Sequence, residues 1–161
     1  MLLAIVSDTH CSSVRRIPAG CLERLAAADL ILHAGDLTEP VVLDELRALG
    51  PEVAAVHGNV DNAELRRTLP AARVVDAAGA RIALVHDAGP AKGRIERMRP
   101  RFPEADAVVF GHSHMPLHER RDGFQIFNPG SPTQRRRAPA HTMGLAHVEG
   151  SRLRFELVRL D

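Results

Sequence analysis

Met1-Leu2-Leu3-Ala4-Ile5-Val6-Ser7-Asp8-Thr9-His10 opens the chain with an apolar run that stops abruptly at a carboxylate and an imidazole two residues apart. The run from Met1 to Val6 reads as a buried strand. In extended backbone, positions i and i+2 point to the same side, so Asp8 and His10 are expected to converge just beyond the strand end. That is where open α/β sheets place their sites. Taken alone, the tetrapeptide Ser7 to His10 reads equally well as a helix-capping Asp beside a surface His. The pattern of an apolar run ending in polar, ligand-type side chains recurs downstream, and the recurrence decides the fold.

Moving outward, Ala19 to Ala28 has helical composition, with Leu22 and Leu25 spaced for one face. Asp29 to His33 is a second short strand and ends in Ala34-Gly35-Asp36. Thr38 is a good N-cap, Pro40 suits a first turn and Gly50 a stop, which predicts a helix over Val41 to Leu49. Glu52 to His57 is a third strand, running into Gly58-Asn59-Val60-Asp61. The order β-α-β-α-β favours a parallel sheet with right-handed crossovers.

The second half changes character. Strands at Ala72 to Asp76 and Arg81 to His86 are a hairpin apart, with Gly79 in the turn. Lys92 to Met98 reads as a short basic helix closed by Pro100, and Ala105 to Phe110 as a buried strand entering Gly111-His112-Ser113-His114. Leu117 to Arg121 and Phe124 to Phe127 flank the turn Asp122-Gly123. After Asn128-Pro129-Gly130-Ser131 and an arginine-rich loop, Thr142 to Val148 and Leu153 to Leu160 form a last hairpin around Glu149 to Arg152. No repeat or linker divides the 161 residues, so one layered α/β domain over residues 1–161, with sheets packed together, is expected.

Composition removes several functions. The formal net charge is +1, which gives no field for nucleic acid or an anionic membrane. All basic residues except Lys92 are arginine, which with the abundant alanine reads as genome composition bias. Trp and Tyr are absent, leaving no platform for stacked bases. Asp8 interrupts the apolar start too early for a membrane span, and no basic segment precedes it as in a signal peptide. Cys11 and Cys21 form no CxxC, so reduced thiols in a cytoplasmic protein are expected. Cys11, next to His10, is weighed both as a metal-contacting or redox-sensitive thiol and as a plain buried one.

Three apolar runs end in glycine followed at once by a metal-competent side chain: Gly35-Asp36, Gly58-Asn59 and Gly111-His112. Glycine there permits unusual φ/ψ and close backbone approach. With Asp8 and His86 at two further strand ends, five strand ends carry Asp, Asp, Asn, His and His-x-His. Carboxylate, carboxamide and imidazole without thiolate suit Mn, Fe, Zn or similar ions. A carboxylate can bridge two cations, and two cations about 3.5–4 Å apart form a phosphoester-hydrolysing clamp.

The series Asp8-x-His10, Gly35-Asp36, Gly58-Asn59-x-Asp61, His86 and Gly111-His112-x-His114 resembles the calcineurin-like metallophosphoesterase superfamily. Within it, the short chain and Asn128-Pro129-Gly130-Ser131 resemble the small single-domain phosphodiesterases of the YfcE type, whose fold the retromer subunit Vps29 shares. The resemblance implies a four-layer α/β/β/α sandwich of two mixed β-sheets flanked by helices, with two metals at one sheet edge. It assigns Asp8, His10 and His114 to one metal, Asn59, His86 and His112 to the other, and Asp36 as the bridge together with a hydroxide. Asp36, Asn59 and His112 are the residues it implicates most directly in catalysis. Manganese is the first expectation for the two divalent ions, with Fe, Zn, Ni or Co as alternatives.

Two departures qualify the resemblance. Phosphoprotein phosphatases of the superfamily carry a His after the Asn, serving as general acid, where this chain has Val60. Losing such an acid costs about 10²–10⁴-fold, which favours good leaving groups, a substrate-supplied proton or slow turnover and speaks against a protein phosphatase. Many relatives also read His-Gly-His where this chain has His86-Asp87-Ala88, so Asp87 would orient a ligand or weaken phosphate binding. Among the remaining features, His33 and His57 are read as hydrogen-bonding the ligands or as strand-end packing, and Asp61 as orienting Asn59 or its loop or as a simple turn cap. Asn128 to Ser131 is read as a phosphate cradle or a tight turn. Arg135-Arg136-Arg137 is read as a steering rim or a solvated loop, and Arg94, Arg97 and Arg101 as solvated face. His118, His141 and His147 lack ligand spacing.

The function expected is a dinuclear metal-dependent phosphodiesterase acting on a small phosphodiester or nucleotide-type substrate. The alternatives are a phosphomonoesterase or nucleotide pyrophosphohydrolase, and a Vps29-like scaffold without catalysis. Relatives of this size suggest a homo-dimer or homo-tetramer.

Overall fold

A computed structural model describes residues 1–150 and 152–160. The turn expected at Glu149 to Arg152 therefore includes one residue, Ser151, outside the described residues. In chain order the elements are β1 (Leu2–Val6), α1 (Ala19–Ala26), β2 (Leu30–His33), α2 (Pro40–Arg47), β3 (Glu52–Ala55), α3 (Ala63–Thr68), β4 (Ala72–Ala77) and β5 (Ala80–Val85). These are followed by α4 (Arg94–Arg101), β6 (Ala107–Val109), β7 (Leu117–Arg121), β8 (Phe124–Asn128), β9 (Thr142–Glu149) and β10 (Arg152–Arg159). They build two five-stranded mixed sheets, ordered β10-β9-β1-β2-β3 and β4-β5-β6-β8-β7.

Strand β1 shows how the layers arise. Its alternating side chains serve two cores: Leu3 and Ile5 pack between the sheets with Ile82, Leu84 and Phe127. Ala4 and Val6 face the helices, among Leu25, Leu46 and Leu65. On the far side, Val108 and Ile126 of the second sheet pack against Ile95 and Met98 of α4. The result is a four-layer α/β/β/α sandwich. Strands β1, β2 and β3 run parallel, as do β5, β6 and β8. Their C-terminal ends lead into the loops that hold Asp8, Asp36, Asn59, His86 and His112.

Several local expectations are corrected. Helix α3 was not legible: its only buried side chain is Leu65, too little for a periodic pattern, and it is set by Asn62, whose Oδ1 accepts the Leu65 N–H at 3.0 Å. Thr38 does not cap α2. The capping position falls to Glu39, with Pro40 opening the helix, while the Thr38 hydroxyl donates to the Cys11 carbonyl at 2.9 Å. Pro100 lies inside the last turn of α4 rather than ending it. Strand β6 is three residues long, shorter than the run Ala105 to Phe110.

Candidate metal centre

The side chains of Asp8, His10, Asp36, Asn59, His86, His112 and His114 meet at one end of the two sheets, in a cup whose base is buried. Asp8 and His114 are fully buried, Asp36 nearly so, and Asn59 and His112 lie exposed at the lip. On one side of the cup, His114 Nε2 is 3.3 Å from Asp8 Oδ1 and 3.2 Å from His10 Nε2. On the other, Asn59 Oδ1 lies 3.0 Å from His86 Nε2 and 2.9 Å from His112 Nδ1. Asp36 Oδ2 stands between the halves, 3.5 Å from His10 Nε2 and 3.2 Å from His86 Nε2.

The convergence of Asp8 and His10 has a different cause from the one expected. Neither residue is extended: φ is 55° at Asp8 and 39° at His10. The same i, i+2 pair of left-handed residues recurs at Asp36 and Thr38 (60° and 82°) and at His112 and His114 (66° and 57°). Left-handed backbone is disfavoured for side chains with a Cβ, most of all for β-branched Thr38. Such strain persists where surrounding structure over-determines it, and it clusters at functional sites.

What over-determines it is a lacing of loop to loop. The Asp8 N–H donates to the Gly35 carbonyl (2.9 Å) and the His10 N–H to the Asp36 carbonyl (3.1 Å). The carboxylate of Asp61, itself buried, accepts three backbone N–H groups: Thr38 (2.6 Å), Gly58 (2.7 Å) and Asp36 (3.1 Å). Asp61 thus ties the β2 loop to the β3 loop and does not touch the Asn59 side chain. Ser131 Oγ donates to the Asp8 carbonyl (2.8 Å), Thr133 Oγ1 to the Thr9 carbonyl (2.6 Å), and Asn128 Nδ2 to the Gly111 carbonyl (2.9 Å). Asn128 and Ser131 are fully buried, so the phosphate-cradle reading of that segment is replaced by a structural one.

The glycines act chiefly through close approach. A Cβ on Gly58 would lie 2.0 Å from Asp36 Oδ1, and one on Gly111 would lie 1.8 Å from Ser7 Oγ and 2.6 Å from Asp8 Oδ2. Only Gly35, at φ 93°, needs the left-handed region as well. Gly111→Ala must therefore displace the base of the cup. Overpacking costs of about 2–3 kcal/mol predict a thermal midpoint lower by roughly 5–10 °C in a chain of this size, read by differential scanning calorimetry.

The electrostatics fit a cation-binding cup. Burial pushes the Asp36 carboxyl up, but the hydrogen bonds from His86 and the Val60 N–H (3.0 Å) and the imidazole charges outweigh it, holding the group below the usual carboxylate range. Burial likewise pulls His86 down and is outweighed by Asp36 and Asp8, so its pKa is raised. Burial lowers His114. His86 Nδ1 donates to the Ala34 carbonyl at 2.8 Å and His114 Nδ1 to the Gln134 carbonyl, which turns both Nε2 atoms toward the cup. His10 Nε2 and His114 Nε2 lie 3.2 Å apart beside the Asp8 carboxylate, so a cation seated among them would meet nitrogen and oxygen donors together. The donor atoms of Asp8, His10 and His114, and those of Asp8, Asp36 and His86, lie within 4.8 Å of one another in each set. A nitrogen and oxygen donor set of this kind suits divalent first-row ions.

His33 braces the cup from behind. Its Nδ1 accepts the Gly35 N–H (3.2 Å) and its Nε2 meets Thr9 Oγ1 (3.1 Å). Burial pushes its pKa down to about 4 from 6.5. The unfolded chain then binds more protons between these values, so stability is lost as pH falls through that window. The loss approaches about 3 kcal/mol at 1.36 kcal/mol per unit. Denaturant titrations of His33→Asn, which keeps an acceptor for Gly35, are expected to show a flatter acid limb between pH 6.5 and 4.

The other candidates sort out by what they touch. His57 does not hydrogen-bond a ligand; its Nδ1 lies 3.4 Å from the carbonyl of Gly58. Asp87 accepts the Gly89 N–H (2.7 Å), a local turn that leaves the ligands alone. Arg94 and Arg97 are not merely solvated: Arg94 donates twice to the Gly89 carbonyl and lies over Phe110, and Arg97 donates to the Lys92 carbonyl (2.7 Å). The Arg136 charge reaches His114, and Arg135 turns back to the Ala138 carbonyl. Cys11 is buried, and burial pushes its thiol up, away from the reactive thiolate. No helix among the described residues is long and apolar enough to cross a membrane.

Comparison with known proteins places these residues in a family context. The family model for the calcineurin-like phosphoesterase superfamily domain matches residues 1–151. A probable metallophosphoesterase of Methanothermobacter thermautotrophicus is 35% identical over 162 residues, covering 99% of this chain and 92% of that protein. A probable metallophosphoesterase of Methanocaldococcus jannaschii is 31% identical over 83% of this chain and 69% of its own length. Among solved structures, Vps29 of Entamoeba histolytica complexed with zinc superposes with a TM-score of 0.79 at 23% identity, covering all of both chains. An archaeal phosphodiesterase superposes with a TM-score of 0.76 at 20% identity, covering 98% of this chain and all of that one.

Proposed function

Since the chain belongs to the calcineurin-like phosphoesterase superfamily, we propose that it hydrolyses phosphodiesters with the help of two divalent cations, manganese first among them. The observation that carries this reading is the position of Asp36 Oδ2, within 3.5 Å of an imidazole from each half of the cup. Asp8, His10 and His114 would hold one ion, Asn59, His86 and His112 the other, and Asp36 both. When bound, the pair neutralises phosphoryl oxygens and lowers the pKa of the attacking water.

The chain's own residues do the rest. Asp61 ties the loop after β2 to the loop after β3, and Ser131 and Thr133 tie the loop after β1 to the loop after β8, which holds the two ligand sets in place. His86 must release its proton for Nε2 to act as a ligand, and Asp36, held ionised, is ready to bridge. The place of the phosphatase acid is taken by Val60, whose side chain is exposed and apolar and whose N–H holds Asp36 Oδ1. That arrangement favours esters with good leaving groups. Arg66 reaches the site's rim, but its guanidinium is spent on the Asn59 and Asp61 carbonyls. With that cation engaged, the singly charged diester is favoured over the doubly charged monoester. The likeness to an archaeal phosphodiesterase supports the same choice.

The test is a comparison of bis-p-nitrophenyl phosphate with p-nitrophenyl phosphate in the presence of Mn²⁺. Higher kcat/KM on the diester is expected. A wide preference for the monoester would replace this reading by a phosphomonoesterase, and no hydrolysis of either under any metal would favour a Vps29-like scaffold.

A further inference from the structure

Beside the metal cup, on the Asn59 and His86 side, lies an open cleft of about 310 Å³. Asn59 and His86 are among the residues that line it, as is Asp87, so the cleft adjoins the proposed second metal position. Ala71 and Val85 supply an apolar wall, and the guanidinium groups of Arg66 and Arg101 border it. Its volume is at the small end of the range for ligand clefts, enough for one ring-sized group.

The cleft is built rather than incidental. The His57 N–H donates to the Pro70 carbonyl at 3.1 Å, which anchors the chain just before Ala71. Arg66 donates from Nε to the Asp61 carbonyl at 2.9 Å and from Nη2 to the Asn59 carbonyl. That fixes a flat, delocalised cation at the border, the form of positive charge that stacks on aromatic faces. Arg101 lies with its guanidinium 5.2 Å from the centre of the Phe102 ring. Val85 is buried and Ala71 exposed, so the accessible apolar surface of the wall includes Ala71.

We infer that this cleft is a subsite for one ester substituent of the substrate, and that it selects a planar aromatic or heteroaromatic group over a small aliphatic one. The inference rests on the phosphoesterase reading and adds the substituent class to it. An apolar wall rewards burial of a ring face, and guanidinium groups at its border are cations of the kind that attract a π-system.

Phenylphosphonate and methylphosphonate test the subsite without any hydrolysis. Both present a phosphonate to the metal cup, and only one carries a ring. Titration by calorimetry into protein with Mn²⁺ is expected to give at least tenfold tighter binding of phenylphosphonate. Ala71→Trp, at an exposed position where a large side chain leaves the core untouched, fills the cleft and is expected to reduce that ratio to about one. A thermal midpoint close to wild type checks folding. Equal affinities in wild type, or a ratio unchanged by Ala71→Trp, would overturn the subsite while leaving the phosphoesterase reading standing. Binding of neither ligand would overturn the subsite, and the phosphoesterase reading would then stand or fall by the comparison of the two esters alone.

Discussion

Asp36→Asn is expected to lower kcat on an activated phosphodiester by about 10³-fold or more while leaving the fold intact. The amide keeps the shape and one oxygen for the Val60 N–H. It removes the charge that faces both His10 and His86. A bridging carboxylate contributes several kcal/mol of charge stabilisation through the ions it holds, and each 1.36 kcal/mol is tenfold in rate. The same variant should bind Mn²⁺ with reduced stoichiometry, because neither half of the cup keeps its full donor set. Steady-state kinetics and calorimetric metal titration of one preparation check both expectations. A variant within tenfold of wild type in kcat would remove Asp36 from the reaction.

Asp61→Ala is expected to be the most destabilising change at a residue that touches no proposed ligand side chain. Its carboxylate is the acceptor for the Asp36, Thr38 and Gly58 N–H groups, and those donors sit in buried or half-buried surroundings. Leaving a buried donor unsatisfied costs about 1–3 kcal/mol, so a loss of about 3–5 kcal/mol is expected for the set. That is a large part of the 5–15 kcal/mol typical of a domain. Asp61→Asn, keeping one acceptor oxygen, should fall between alanine and wild type in urea denaturation. Metal affinity should follow the same order, because the three bonds hold Asp36 and Asn59 at their separation. Equal stability of Asp61→Ala and wild type would show that the loops are held by other means.

The sequence was legible where physics is local. An aliphatic run predicts a strand, and glycine followed by Asp, Asn or His at its end predicts a tight approach to a ligand-type side chain. The glycine signal located Asp36, Asn59 and His112, strand ends located Asp8, His10 and His86, and the His-x-His spacing added His114; it was the resemblance to the family that joined the seven into one ligand set. What was not legible depends on partners distant along the chain. The left-handed pairs at Asp8/His10, Asp36/Thr38 and His112/His114 are imposed by hydrogen bonds between loops, and residues of this type ordinarily avoid that region. Ser131 holds the Asp8 carbonyl across 123 positions, and no local pattern announces such a bond. Helix α3 buries one leucine and offers no periodicity. The cleft wall at Ala71 exists only because β3 and the α3–β4 connection are adjacent in space.

Crystals of the protein grown or soaked with Mn²⁺ and measured for anomalous scattering test the central claim most directly. Two peaks are expected, about 3.5–4 Å apart. One should lie among Asp8, His10, Asp36 and His114, and the other among Asp36, Asn59, His86 and His112. A single peak that Asp36 does not touch, or none at millimolar Mn²⁺ and neutral pH, would contradict the paired-cation account.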